Sequence, residues 1–182
     1  AICGAMLWYP DETIQHAGIV TGLGGYAGHS HKYKKKGGSG YLFRTSTVQD
    51  FSGVTGACLL VKTAVYDEMH GLDEQFAVAF NDVDFCLRVR DAGYRIAWTP
   101  YAELIHYESK SRGGDEKDPV KAARFAAEQQ RLYTIHGKEN ILDDPYYNPN
   151  LTRDREDFSE SDDLRRLKEG RVTVRFRGGT LQ

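Results

Sequence analysis

Residues 54–113 constrain the fold more than any other stretch, because strand-like and helix-like patterns alternate along them. The strand patterns cover residues 54–61, 94–99 and 102–106, and the helix patterns cover residues 63–69 and 81–92. The first strand pattern is apolar almost throughout, which predicts a strand covered on both faces. Pro100 separates the other two strands. The alternation predicts an α/β protein whose helices pack on a sheet.

The second predicted helix begins with acidic residues. Asn81 is a good N-cap, and Asp82 and Asp84 fall in the first turn, where carboxylates complement the helix dipole. Side chains two residues apart point about 200° apart around a helix, so these two carboxylates cannot both line one site. Arg88, one turn later, favours a structural role for Asp84. Asp82 lies at the mouth of the helix and is the better placed of the two to meet a ligand.

A polar segment begins where the last predicted strand ends, at His106. The polar residues that follow it include Glu108, Ser109, Ser111 and Arg112. Ligands bind near strand ends in many α/β folds. A neutral imidazole suits a divalent cation, and serine and arginine side chains suit phosphate oxygens. A purely structural loop explains the same residues equally well.

Charge and cysteine content exclude several other classes of protein. The 182 residues carry a net charge of -2, so the overall charge gives no reason to expect nucleic acid as a partner. No apolar run is long enough to span a membrane. The three cysteines are odd in number and lie far apart in apolar runs, which predicts buried free thiols in a reducing cytosol.

The chain opens within a strand pattern, at residues 2–7. This start suggests a fragment of a longer polypeptide. A strand edge exposed there would favour pairing between copies of the chain, so a homo-oligomer is one hypothesis.

The glycine-rich residues 22–28 contain a GxGxxA pattern, but no helix pattern follows them to face a phosphate. We therefore exclude a dinucleotide site. The lysine-rich residues 32–36 predict a solvated face, with a lid over phosphates as the alternative. His16 fits a hydrogen-bonded structural role. Together with His29 and His31 it also supports a weaker hypothesis, a metal-binding module.

The C-terminal part of the chain predicts packing elements. Asp118 and Pro119 are an N-cap and a first helical residue, and they predict a packing helix over residues 118–136. We divide the chain into a main portion, residues 1–157, and a charged tail, residues 158–182, with short helix and strand patterns.

Two segments resemble the C-terminal half of family 2 glycosyltransferases, above all the rhamnosyltransferase-like members that build bacterial surface polysaccharides. They read GACLLVKTAVYDEMHGLDEQF and FNDVDFCLRVRDAGYRIAWTPYAELIHYESKSRG. The likeness covers roughly residues 4–157, and its specific parts are FNDVDFCLR and HYESKSRG.

The resemblance implies the C-terminal part of a GT-A fold, an α/β sandwich with a mixed sheet flanked by helices. It implies inverting transfer of a sugar, rhamnose being one candidate, from a nucleoside-diphosphate sugar to a glycan or lipid-linked glycan acceptor. The cofactor it implies is Mg²⁺ or Mn²⁺. Such an enzyme would work in the cytoplasm, with the full-length protein peripheral at the inner face of the membrane.

The resemblance also implies roles for individual residues. Asp82 matches the general base, and Asn81 stands where the family more often has an acid. His106 matches a histidine that completes the metal site. Four residues match the flexible segment near the diphosphate and the acceptor: Glu108, Ser109, Ser111 and Arg112. The nucleotide-binding half, with its DxD-type metal motif, has no counterpart in this chain, so the resemblance implies a fragment that is inactive alone.

The alternative function is a non-catalytic carbohydrate-binding or interaction module derived from such a fold. The two functions differ in whether the native gene encodes strands and a DxD-type motif upstream of Ala1.

Overall fold

A mixed sheet organises the fold in the computed structural model, which describes residues 1–107 and 118–161 and the backbone of residues 175–176 and 179–180. The strands are β1 (Ile2–Trp8), β2 (Ile14–His16), β3 (Ile19–Thr21), β4 (Ala27–His29), β5 (Gln49–Asp50), β6 (Leu59–Val61), β7 (Ile96–Ile105), β8 (Arg175–Phe176) and β9 (Gly179–Thr180). The helices are α1 (Thr63–Glu68), α2 (Asn81–Asp91), α3 (Pro119–His136) and α4 (Lys138–Leu142). The predicted α/β class is confirmed.

Strand β1 lies in the interior of the main sheet, whose order is β2-β1-β7-β5. It pairs in parallel with β7 along one side and antiparallel with β6 and β2 along the other. The expectation of an exposed strand edge at residues 2–7 is therefore wrong, because neighbouring strands of the same chain already occupy both sides. The homo-oligomer hypothesis was based on that exposed edge, so this strand no longer supports it.

Strand β7 continues through Pro100, so the prediction of two strands separated by this proline is wrong. Ala5 pairs with Thr99, and the next residue of β1, Met6, pairs with Glu103. The intervening residues of β7 form a bulge. A proline is tolerated there because a bulged residue donates no hydrogen bond to the neighbouring strand.

Residues 54–61 do not form the predicted strand with two covered faces. The Thr55 side chain accepts a hydrogen bond from Ala57 N, which stabilises a 3₁₀ turn (Gly56–Cys58) within the apolar run. Only β6 pairs with the sheet, and its central residue Leu60 is 73% exposed. The apolar run therefore serves partly as a connecting segment, with Val54 buried in the core.

Helix α2 starts as predicted, but its cap differs. Phe80 is the N-cap, with a left-handed φ of 64°, and Asn81 is the first helical residue. The predicted N-cap at Asn81 is wrong, because its side chain accepts only from the adjacent Asp82 N at 2.7 Å. The buried ring of Phe80, packed against Phe125, holds the start of the helix instead.

Helix α3 follows its prediction and supports the segment that leads into α2. Its N-cap is Asp118, whose carboxylate accepts from Val120 N at 2.9 Å. Farther along, the buried Glu128 carboxylate accepts from Val78 N at 3.2 Å and from Ala79 N at 2.8 Å. A helix expected only to pack thus also satisfies the backbone just before α2.

The core lies between the main sheet and the helices, with the fully buried Trp98, Phe51 and Phe85 as its largest side chains. Phe158 is also buried, so the packed part of the chain reaches at least this residue. All three cysteines are free thiols, as predicted, but only Cys86 is buried; the prediction of burial is wrong for Cys3 and Cys58, which are half-buried. In the part of the chain that the structure describes, no helix is long and apolar enough to cross a membrane.

Candidate active site

The carboxylate of Asp82 lies where α2 begins and meets the 3₁₀ turn after Thr55. Its Oδ2 accepts a hydrogen bond from Gly56 N at 2.8 Å, and its Oδ1 accepts from Val83 N at 2.9 Å. The side chain is partly exposed. The two backbone hydrogen bonds fix the direction of the carboxylate, which remains accessible to a hydroxyl group from solvent.

Asp84 points the other way and is buried. It accepts from the Arg88 guanidinium at 2.8 and 2.9 Å and from His136 Nε2 at 2.8 Å. Burial raises the pKa of Asp84, but the hydrogen bonds from His136 and Arg88 outweigh burial and leave the pKa below its ordinary value. The predicted pairing with Arg88 is confirmed. Asp84 therefore fastens α2 to α3 and leaves Asp82 as the available carboxylate.

His106 lies directly after β7, beside the end of β1. Its backbone N donates to Trp8 O at 2.9 Å, and its half-buried ring keeps Nδ1 away from water. This Nδ1 has no hydrogen-bond partner among the described residues. A buried, unpaired imidazole nitrogen at the shared end of two parallel strands fits a metal ligand, so the residue type and its surroundings agree with the implied role.

The remaining predicted site residues could not be placed. Glu108, Ser109, Ser111 and Arg112 lie outside the described residues. Within the described ranges, no group of three or more His, Cys, Asp and Glu side chains is arranged to hold a metal ion. No hydrogen bond or ion pair links Asp82 to His106, although both are described.

Two of the three histidines in the metal-module hypothesis are neighbours, and the third is separate. The Nδ1 atoms of His16 and His29 are 2.9 Å apart. His31 instead contacts Ser30 Oγ at 2.7 Å and accepts from Tyr41 N at 3.0 Å. The three-histidine site is therefore wrong, since the backbone and hydroxyl partners of His31 hold it outside the pair.

The His16–His29 pair contacts Thr55, which immediately precedes the 3₁₀ turn whose Gly56 N–H group binds Asp82. His16 is fully buried, and its Nε2 accepts from Gly18 N at 3.3 Å and from Thr55 N at 3.4 Å. Burial, and then the nearby His29, hold the pKa of His16 well below its ordinary value. The sequence predicted a structural histidine here but not its connection to Thr55, because 39 residues separate the two.

A pocket of about 440 Å³ lies elsewhere, between the β3–β4 hairpin and residues 154–157. Its lining includes the rings of Tyr26 and Tyr33 and the charged side chains of Lys32 and Glu156. Neither Asp82 nor His106 lines it. The pocket is thus separate from the candidate base.

Two longer bacterial proteins are similar to the chain over most of its length. An "Uncharacterized protein y4gI" of Sinorhizobium fredii is 49% identical over 156 residues, which are 85% of this chain and 17% of that protein. An "O-antigen biosynthesis protein RfbC" of Myxococcus xanthus is 35% identical over 150 residues, 82% of this chain and 11% of that protein.

A third similarity covers the chain in part. An "N-acetylglucosaminyl-diphospho-decaprenol L-rhamnosyltransferase" of Mycobacterium tuberculosis is 32% identical over 80 residues, 44% of this chain and 24% of that protein. These names support a glycosyltransferase-like relationship. The mixed α/β fold is compatible with it. The chain spans less than a quarter of each of these relatives, and no protein-family model and no solved structure matches it.

Proposed function

We propose that the chain is the base-bearing portion of an inverting, GT-A-type glycosyltransferase of polysaccharide biosynthesis. The observation that carries the proposal is the partly exposed Asp82 carboxylate, held by Gly56 N at the start of α2. The similarity to proteins named for O-antigen biosynthesis and rhamnosyl transfer supports the reaction class. We take the donor to be a nucleoside-diphosphate sugar, rhamnose being the first to test, and the acceptor to be a glycan or lipid-linked glycan.

In this reaction Asp82 accepts the proton of an acceptor hydroxyl group. The freed oxygen forms a bond to the anomeric carbon from the face opposite the leaving group, and the bond from that carbon to the diphosphate oxygen breaks with its electron pair. Gly56 N donates to Oδ2 and so orients the carboxylate before the acceptor arrives. A general base contributes about 10²–10⁴-fold to such a step.

His106 is the residue we assign to a bound Mg²⁺ or Mn²⁺, because its Nδ1 is buried and unpaired within the described part of the chain. The ion would neutralise charge on the departing diphosphate. We assign contacts with the diphosphate and acceptor to Glu108, Ser109, Ser111 and Arg112. Asn81 lies next to the base and is a candidate substrate contact. Binding of the nucleotide is assigned to residues outside this chain, in a longer protein acting at the cytoplasmic face of the membrane.

The test replaces Asp82 with Asn in the full-length protein. We expect Asp82→Asn to lower kcat at least 100-fold while binding of the nucleotide sugar stays nearly unchanged, because the amide keeps the shape but accepts no proton. Sugar transfer is measured with a panel of nucleotide sugars and Mn²⁺. The matched control is Asp91→Asn, an exposed carboxylate at the other end of the same helix. Turnover of Asp82→Asn within a few-fold of the parent would show that Asp82 is not the base.

The second candidate, a non-catalytic carbohydrate-binding module, is favoured by the separate pocket beside Tyr26 and Tyr33. Tyr33 is exposed and Tyr26 is half-buried against Phe80 and Phe125. An aromatic ring with neighbouring carboxylates can bind a sugar through its apolar face and its hydroxyl groups. If neither the parent nor the Asp82→Asn protein transfers any sugar, yet both bind glycans, this function replaces the first.

A further inference from the structure

The hydrogen bonds of His16 determine which of its nitrogens carries the proton. Its Nε2 faces two backbone donors, Gly18 N at 3.3 Å and Thr55 N at 3.4 Å, so Nε2 must be an unprotonated acceptor. The proton of the neutral ring therefore resides on Nδ1. It is donated to His29 Nδ1 at 2.9 Å, which requires that His29 carry its own proton on Nε2. One tautomeric arrangement of the pair thus satisfies these three contacts.

This arrangement acts on the turn that holds the candidate base. Thr55 and Gly56 are consecutive, and their backbone N–H groups donate in turn to His16 Nε2 and to Asp82 Oδ2. The Thr55 side chain accepts from Ala57 N and stiffens the same turn. The two peptide planes are joined at the Cα atom of Thr55, so a Thr55 amide that loses its partner removes one of the constraints on the direction of the Gly56 amide.

We propose that His16 is a positioning residue for Asp82: its unprotonated Nε2, maintained by His29, holds the Thr55–Gly56 amides so that Gly56 N orients the Asp82 carboxylate. This role rests on the proposed function of Asp82 as a general base. It assigns a purpose to a fully buried histidine that the reaction itself does not use. Neither histidine touches the substrate in this role.

The test compares two replacements of His16 in the full-length protein. His16→Leu removes the acceptor for Thr55 N, whereas His16→Gln can place an amide oxygen close to the position of Nε2. Residue-resolved hydrogen–deuterium exchange follows the Thr55 and Gly56 amides and does not depend on sugar transfer. We expect exchange at both amides to rise about tenfold in His16→Leu and to return towards the parent rate in His16→Gln.

The kinetic measurements determine whether the effect of His16 on sugar transfer depends on Asp82. We expect His16→Leu to lower kcat about tenfold with less than a twofold change in KM for the donor, because a small displacement of a base slows the chemical step. In an Asp82→Asn background the same replacement should change kcat less than twofold, since the group that it positions is already absent. A general loss of structure would lower activity equally in both backgrounds.

Several outcomes overturn the proposal. The first is unchanged hydrogen–deuterium exchange at the Gly56 amide in His16→Leu. The second is a tenfold loss of kcat on His16→Leu replacement that persists in the Asp82→Asn background. If His16→Leu does not fold, His29→Phe replaces it, because it removes the acceptor for His16 Nδ1 and leaves a buried donor unpaired on the ring that binds Thr55 N. Unchanged exchange at Thr55 and Gly56 in that variant also overturns the proposal. An inactive parent enzyme counts against the proposed function instead, and exchange at Gly56 still decides whether His16 controls the turn.

Discussion

Acid should destabilise this protein through His31, a buried histidine outside the candidate site. Its ring is 1% exposed and stacks on Phe158 with the ring centroids 4.2 Å apart. Nε2 accepts from Tyr41 N at 3.0 Å, so the proton lies on Nδ1, which donates to Ser30 Oγ at 2.7 Å. A second proton could be placed only on Nε2, where it would face the Tyr41 N–H group.

Burial, and then the charges of Lys34 and Arg44, lower the pKa of His31 from 6.5 to about 4. The unfolded chain therefore takes up a proton as the pH falls below 6.5, whereas the folded chain takes it up only near pH 4. The contribution to stability is complete above pH 6.5 and is lost as the pH falls towards 4. The pKa difference corresponds to about 3 kcal/mol in the free energy of unfolding, of which about 2 kcal/mol is lost between pH 7 and pH 5.

The assay is urea unfolding at pH 7 and pH 5 for the parent, His31→Gln and His70→Gln. Glutamine cannot take up the proton and can still accept from Tyr41 N, so His31→Gln should lose about 2 kcal/mol less than the parent between the two pH values. His70 is exposed, and its replacement controls for the loss of one histidine. Equal losses in the parent and in His31→Gln would refute the reasoning, whatever the stability of either protein at pH 7.

Two further replacements, and a third that serves as a control, test packing by urea unfolding. Asp84→Asn removes the charged acceptor of His136 inside the α2–α3 contact and should lower the free energy of unfolding by about 3 kcal/mol; a loss under 1 kcal/mol would contradict the structural role. Gly18→Ala adds a Cβ 2.6 Å from the ring of Phe51 at a φ of 98° and should cost about 3 kcal/mol. The control is Gly37→Ala, at a similar φ of 96° with open space around it, which should lower the free energy of unfolding by only about 1 kcal/mol. Equal losses of stability in the two variants would show that the Phe51 contact does not matter.

Elements with local signals could be predicted from the sequence. The short α1 and the Asp118 cap of α3 each depend on residues within a few positions of one another. Pro100 misled the prediction because the local rule, which ends a strand at proline, competes with pairing to β1. The partner strand is nearly a hundred residues away, so no local pattern reports that the proline lies in a bulge.

In the candidate site, too, the local feature could be predicted and the long-range contacts could not. A carboxylate at a helix start is a local signal, and it led to Asp82. Its hydrogen-bond partner Gly56 lies 26 residues earlier, and the contact between His16 and Thr55 spans 39 residues. These contacts depend on the tertiary arrangement of β2, the 3₁₀ turn and α2. The sequence could therefore single out Asp82 as the candidate base but not the groups that orient it.

The first turn of α2 carries two carboxylates with different surroundings, one buried and one that is the candidate base. Because Asp82 and Asp84 point about 200° apart, one faces the α3 side and is buried, and the other remains partly exposed. The buried carboxylate is bound by Arg88 and His136, and Glu128 of α3 satisfies the backbone just before the helix. A base can be held in a productive direction only if its backbone does not move. The ion pair at Asp84 therefore contributes to the proposed reaction by immobilising the turn from which Asp82 projects.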